Sequence, residues 1–232
     1  MSRCTRLFAA FLVASAGTGQ AWAIDIVNGD FSAGPGGLAN WQTVDTLVDF
    51  TVLAPSGYVS AAGGVADLQT PGFASGVVMV TLYQAIAIGP TATTLTFDLG
   101  LAPGTGDAGG SGTGVPDFLQ VSYVDDLDSA YDHRFVAVDI NGFYNPNTFV
   151  PLILPDLGNG LSRFATGIAD LAGRTGTLYF DLNELDDGLY STALIDNVRI
   201  DAAAAPAPGT WMLLAFGLAG AGASRARNRQ RA

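Results

Sequence analysis

Most enzymes draw their acid–base, nucleophilic and metal chemistry from histidine, cysteine, serine and carboxylate side chains. This chain is nearly without the first two: His133 is the only histidine and Cys4 the only cysteine in 232 residues. Asp132 and Arg134 flank His133, and on a strand both would point to the face opposite the imidazole. No serine sits in a Gly-x-Ser-x-Gly turn, so a Ser-His-Asp relay has no visible nucleophile. One histidine and one cysteine also exclude most transition-metal sites. Carboxylates remain, and a glycosidase needs two of them across a cleft. Twenty-one are present, but no spacing singles out a pair. The acidic run Asp181–Asp187 lacks the Asp/Asn comb and trailing glutamate of an EF-hand. That run, and the set Asp125, Asp126, Asp128 and Asp132, read as solvated hairpin tips. Catalysis is not expected.

Binding chemistry is better provided for. Sugar rings are apolar on one face and stack on exposed aromatic side chains. Trp41, Tyr58, Tyr123, Tyr131, Phe143, Tyr144 and Tyr190 are the candidates. Phe143-Tyr144-Asn145-Pro146 reads as a turn, which makes Phe143 and Tyr144 the preferred ligand-binding pair.

The elements that must position these groups are strands. Leu95, Phe97, Leu99 and Leu101 alternate with Thr94, Thr96, Asp98 and Gly100, the period-two mark of a half-buried strand. Leu178, Phe180 and Leu182 alternate in the same way with Thr177, Tyr179 and Asp181. Val77–Ile88 is apolar enough for a central strand, ended by Gly89-Pro90. Ile24–Val27, Trp41–Leu53, Tyr58–Leu68, Phe118–Val124, Phe135–Ile140, Phe149–Leu154 and Ala193–Ile200 are further candidates. Only Ile168–Gly173 hints at helix, a single turn. Ala102–Pro116, with six glycines and two prolines, is a loop. Short strands with Gly-rich joints and no βαβ alternation predict an all-β fold, an antiparallel sandwich of one domain, residues 24–201. This span carries all twenty-one acidic residues against four arginines, and the chain has no lysine. Such a surface repels nucleic acid and anionic lipid and attracts divalent cations, calcium above all given the preponderance of Asp.

The two ends of the chain read as addresses. Arg3 and Arg6, the apolar run Leu7–Val13, and the small residues Ala21 and Ala23 around Trp22 make a secretory signal over residues 1–23, cleaved after Ala23. Cys4 leaves with it. At the other end, residues 202–210 form a linker with Pro206 and Pro208, and residues 211–232 an apolar stretch from Trp211 followed by Arg225, Arg227, Arg229 and Arg231. Thirteen uncharged residues, Trp211–Ala223, fall short of the roughly twenty that span a bilayer, enough for transient insertion of the segment as a helix. The arginines would stay cytoplasmic. This arrangement resembles the PEP-CTERM sorting signal, with Ala207 where the usual motif has Glu. The resemblance implies an exosortase-type processing enzyme as partner, delivery to the cell envelope or extracellular matrix, and association with exopolysaccharide.

Asn28-Gly29-Asp30-Phe31 followed by Trp41 resembles the opening of the carbohydrate-binding, galactose-binding-like jelly rolls. Tyr83-Gln84-x-Ile86, Leu95-Thr96-Phe97-Asp98 and Ile195-Asp196-Asn197-Val198-Arg199-Ile200 are similar to their central and closing strands. The resemblance implies a jelly-roll sandwich whose first and last strands lie together. It also implies a structural calcium there, with Asn28, Asp30 and Asp196 as ligands, although Ser32 stands where the family often has Glu. Three functions follow. The first is a non-catalytic structural or adhesive protein of the exopolysaccharide matrix, expected from a smooth acidic surface. A carbohydrate-binding module is expected from several exposed aromatics on one concave sheet. An envelope hydrolase is expected from facing carboxylates, one of them desolvated.

Overall fold

The computed structural model describes residues 26–71, 75–102, 116–128, 132–185 and 190–203. The export signal, the sorting tag, Tyr131 and the interior of the Ala102–Pro116 loop lie outside the described residues. Within them, strands β1 (Gln42–Leu47), β2 (Val52–Leu53), β3 (Val59–Ala62), β4 (Val65–Gln69), β5 (Val77–Ala87), β6 (Ala92–Leu101) and β7 (Phe118–Asp125) come first. The chain continues through β8 (Asp132–Asp139), β9 (Gly142–Tyr144), β10 (Asp156–Gly158), β11 (Leu161–Gly167), β12 (Thr175–Asn183) and β13 (Thr192–Ala202). They form two antiparallel sheets, one of seven strands in the order β2-β1-β5-β12-β7-β8-β9 and one of six in the order β10-β11-β6-β13-β4-β3. From β4 onward the chain passes back and forth between the sheets, as a jelly roll does.

Alternation decides which side chains make the core. Leu178, Phe180 and Leu182 of β12 point inward with Leu119, Val121, Val80 and Leu82 of its neighbours, all fully buried. They meet Phe97, Leu99 and Ile195 of the other sheet. Phe97 and Phe180 join the two layers edge to face, with centroids 5.5 Å apart. Trp41 closes one end against Phe31 and Phe180, so it is a core residue and not a stacking platform. Truncating Phe180 to alanine would cost about 3–5 kcal/mol by the usual scale for buried aromatics.

The first and last segments do lie together. Val198 N–H donates to the Gly29 carbonyl at 2.9 Å. A Cβ on Gly29 would lie 1.8 Å from the Val198 carbonyl oxygen, so no other residue fits there. From inside the sandwich, the buried Gln84 amide holds this opening segment: it donates to the Val27 and Asn40 carbonyls and accepts from Val27 N–H.

Several expectations change. Trp41–Leu53 and Tyr58–Leu68 each contain a turn and become hairpins, β1–β2 and β3–β4. Ile26–Val27, the described part of the expected first strand, is not a strand. Phe149–Leu154 forms only an isolated bridge between Pro151 and Tyr144. In the other sheet β11 lies between β10 and β6; its Leu-Ser-Arg-Phe-Ala-Thr-Gly has little apolar alternation and is recruited by pairing with β6. Ile168–Gly173 is a 3-10 turn over Ala169–Leu171.

Candidate functional site

The outer face of the seven-stranded sheet is built by register. Residues directly opposite on antiparallel strands share a face. Gln42 faces Tyr83, Tyr83 faces Tyr179, Tyr179 faces Ser122, and Ser122 faces Arg134. One row along, Val44, Thr81, Asp181, Gln120 and Ala137 line up in the same way. Because the inward partners of these residues are the buried leucines and valines, both rows face out. All of them but Gln42, Arg134 and Ala137 line, with Val52, Met79, Val124 and Asp132, an open cleft of about 460 Å³.

Its floor has two chemistries. Tyr83 and Tyr179 stack at 5.6 Å with 23° between their planes, and Tyr83 Oη donates to Gln42 Oε1 at 3.0 Å. This makes an aromatic patch with a polar edge. Beside it Asp181 accepts a hydrogen bond from Thr81 Oγ1 at 2.7 Å. Burial at the cleft floor pushes the Asp181 carboxyl up to about 6; the Thr81 bond opposes this and the charge of Asp132 adds to it. Asp132 itself is paired with Arg134 at 2.7 Å. His133 turns away from both, its ring packed on Phe135 at 5.2 Å.

Asp181 is therefore not at a solvated tip, and neither is Asp125. The latter is 3% exposed, paired with Arg174 at 3.0 Å, and accepts the backbone N–H groups of Leu127 and Asp128. Asp126, Asp128 and Asp132 are exposed as expected; Asp125 and Asp181 are not, because a strand end and a hairpin tip look alike in one dimension.

The aromatic candidates disperse. Tyr123 is buried and Tyr58 is packed against the core, while Tyr190 is exposed. Phe143 and Tyr144 part company on β9: Phe143 pairs with Val138 and packs inward, whereas Tyr144 pairs with Ala137 and faces out. Tyr83 and Tyr179 were not singled out by sequence. The alternation around Leu178–Leu182 placed Tyr179 outward, but only cross-strand register sets Tyr83 beside it.

At the seam of the chain ends, Asp30 lies near enough for its charge to act on Asp196. Burial raises the Asp196 carboxyl, with the charges of Asp98 and Asp30 adding to that effect against a bond from Asn197 N–H. Asn28 is spent on its own loop: Oδ1 accepts Ala33 N–H, and Nδ2 donates to the Gly37 and Ala39 carbonyls at 2.8 and 3.1 Å. The two carboxylates suit a hard cation; the occupied Asn28 amide does not. Among the described residues no group of three or more His, Cys, Asp or Glu side chains is placed to hold a metal ion. Nor, among them, is any helix long and apolar enough to cross a membrane.

No protein-family model matches the chain, and no curated protein does. Solved structures resemble it in fold. A carbohydrate-binding module described for specific mannan recognition is 13% identical, with TM-score 0.42, covering 78% of this chain and 97% of its own. The K1 cleaved adhesin domain of Lys-gingipain from Porphyromonas gingivalis is 16% identical, with TM-score 0.40, covering 78% and 99%. A family 4 carbohydrate-binding module is 13% identical, with TM-score 0.37, covering 71% and 95%. These likenesses are of architecture and do not assign a ligand.

Proposed function

We propose that the protein is a non-catalytic glycan-binding domain that works outside the cell, with the outer face of the seven-stranded sheet as its binding surface. The stacked Tyr83–Tyr179 pair in an open cleft carries this reading. Two nearly parallel rings bordered by Thr81, Gln120, Ser122 and Gln42 offer what a pyranose needs, apolar aromatic surface for its face and hydrogen-bonding groups for its rim. The ligand class follows from charge. With Asp181 and Asp132 in the cleft and Arg134 already paired, a neutral glycan is accepted and a uronate-rich one is opposed. The secretory signal and the Arg-rich tag fit delivery to the envelope or matrix, with an exosortase-type enzyme as processing partner and a neutral exopolysaccharide as ligand.

Affinity electrophoresis of the protein in gels containing neutral or uronate-rich polysaccharides tests this. Retardation by a neutral glycan that disappears in Tyr179→Ala is the expected result. Equal mobility in every gel would remove the reading.

A second reading has its own observation. Asp181, held near 6, has the proton affinity of a glycosidase acid, and Asp132 shares its cleft. Reducing-sugar release by the wild-type protein, lost in Asp181→Asn, would establish hydrolysis. Binding without release would exclude it. Calcium at the Asp30–Asp196 seam belongs to the proposal as a clip on the chain ends; a melting temperature lowered by chelator and restored by calcium would establish it.

A further inference from the structure

A second aromatic platform stands on the same face at the β9 edge. Tyr144 pairs with Ala137, Ala137 with Gln120 and Gln120 with Asp181, so Tyr144 shares the outer face with the cleft. Phe149 stacks on Tyr144 with centroids 6.1 Å apart and planes at 18°. With Asp139, Asn141 and Pro151 the two rings line a cleft of about 320 Å³.

Phe149 is displayed at a cost. It is 76% exposed, and its φ of 56° puts a bulky aromatic in the left-handed region that glycine and asparagine occupy cheaply. The turn behind it is well made. Asn145 Oδ1 accepts the N–H groups of Asn147 and Thr148, the Asn145 carbonyl accepts Phe149 N–H at 2.7 Å, and Asn147 Nδ2 donates to the Arg134 carbonyl. A braced turn that holds an exposed ring in a strained backbone is the kind of outlier from which a ligand contact is inferred.

We infer that Tyr144 and Phe149 form a distal sugar subsite, and that the ligand is a linear glycan lying across the strands from Tyr83–Tyr179 to this platform. This rests on the cleft reading above and adds the ligand's length and direction. Tyr179 and Tyr144 lie on strands three spacings apart, about 14 Å across the sheet. An extended pyranose chain advances by about one strand spacing per sugar, so about four sugars are needed to touch both platforms. The class is thus an internal stretch of a neutral linear polysaccharide and not a terminal sugar.

The test is calorimetric titration of the full protein with gluco-, manno- and xylo-oligosaccharide ladders, disaccharide to octasaccharide, using wild type, Tyr179→Ala and Phe149→Asn. Expected is a rise in affinity of at least about fivefold between trisaccharide and hexasaccharide, near 1 kcal/mol. Phe149→Asn should lose that rise yet bind short chains as wild type does, with a melting temperature that holds or climbs by about 2–4 °C as the strain is relieved. Tyr179→Ala should lose both. A length-dependent rise that Phe149→Asn keeps, or a fall in its melting temperature, would overturn the distal subsite and leave the cleft standing. So would short-chain binding with no gain in length. Failure of every ladder to bind would overturn the cleft reading, and the subsite with it.

Discussion

Each sheet of the sandwich carries an aspartate on the outer face of an inner strand, and the two are treated in opposite ways. On the six-stranded sheet, Asp98 is 1% exposed and is gripped by Arg163 through two bonds, at 2.7 and 2.8 Å, and by Asn197 Nδ2 at 2.9 Å. Burial would raise its carboxyl, but Arg163 and Asn197 outweigh burial and hold it below the ordinary range. On the seven-stranded sheet, Asp181 has a threonine for a partner and stands high, at about 6. The first face is closed by an ion pair and by the seam of the chain ends. The second is left open, aromatic and short of a cation. A buried carboxylate with a guanidinium is structural; one without it, on the floor of a cleft, is available to a ligand.

The contrast breaks most visibly at Arg163. Arg163→Ala leaves Asp98 buried with Asn197 but no guanidinium, and should bring the largest loss of stability of the set. Chemical denaturation reads this, and glycan binding by the folded fraction should be unchanged. Next in size is Asp181→Asn. A carboxyl whose folded value lies above its unfolded one adds stability at low pH and loses it as pH rises from about 4 to about 6. Asp98, lowered, works the other way and loses its contribution as pH falls below the ordinary carboxylate range. Wild-type melting temperature should therefore climb on acidification from neutrality to about pH 5 before falling in stronger acid. Asp181→Asn should flatten the climb and be more stable at neutral pH by about 2 kcal/mol. Tyr179→Ala sharpens the comparison through function: glycan binding should be lost, a weakening of at least about tenfold or 1.4 kcal/mol, with little change in melting. The smallest effect belongs to Asp132→Asn. It removes an exposed pair worth under about 1 kcal/mol and should lower the titration midpoint of Asp181, read by carboxyl NMR.

Read one-dimensionally, the strands that pack a core announce themselves. Leu95–Leu101 and Leu178–Leu182 alternate because one face must be apolar, and their inward residues pack the core, although the outward Thr96 and Asp98 are buried too. Strand β11 did not announce itself, since its inward row includes the polar Ser162 opposite Leu99, and its place depends on pairing with β6. The site was half legible. Tyr144 was marked by its turn, but its neighbour Phe143 went to the core because adjacent residues of a strand take opposite faces. Trp41, a candidate ring that belongs to the opening motif, is the plug between Phe31 and Phe180.

Composition and period alone were enough for the acidic, lysine-free surface, the antiparallel sandwich and the poverty of catalytic side chains, since each is a local or additive property of the chain. Which carboxylate keeps a partner and which two tyrosines touch depends on register between strands far apart in sequence. Tyr83 meets Tyr179 and Asp98 meets Arg163 only once the sheets have closed. A slip of one residue would send every one of these side chains to the other face.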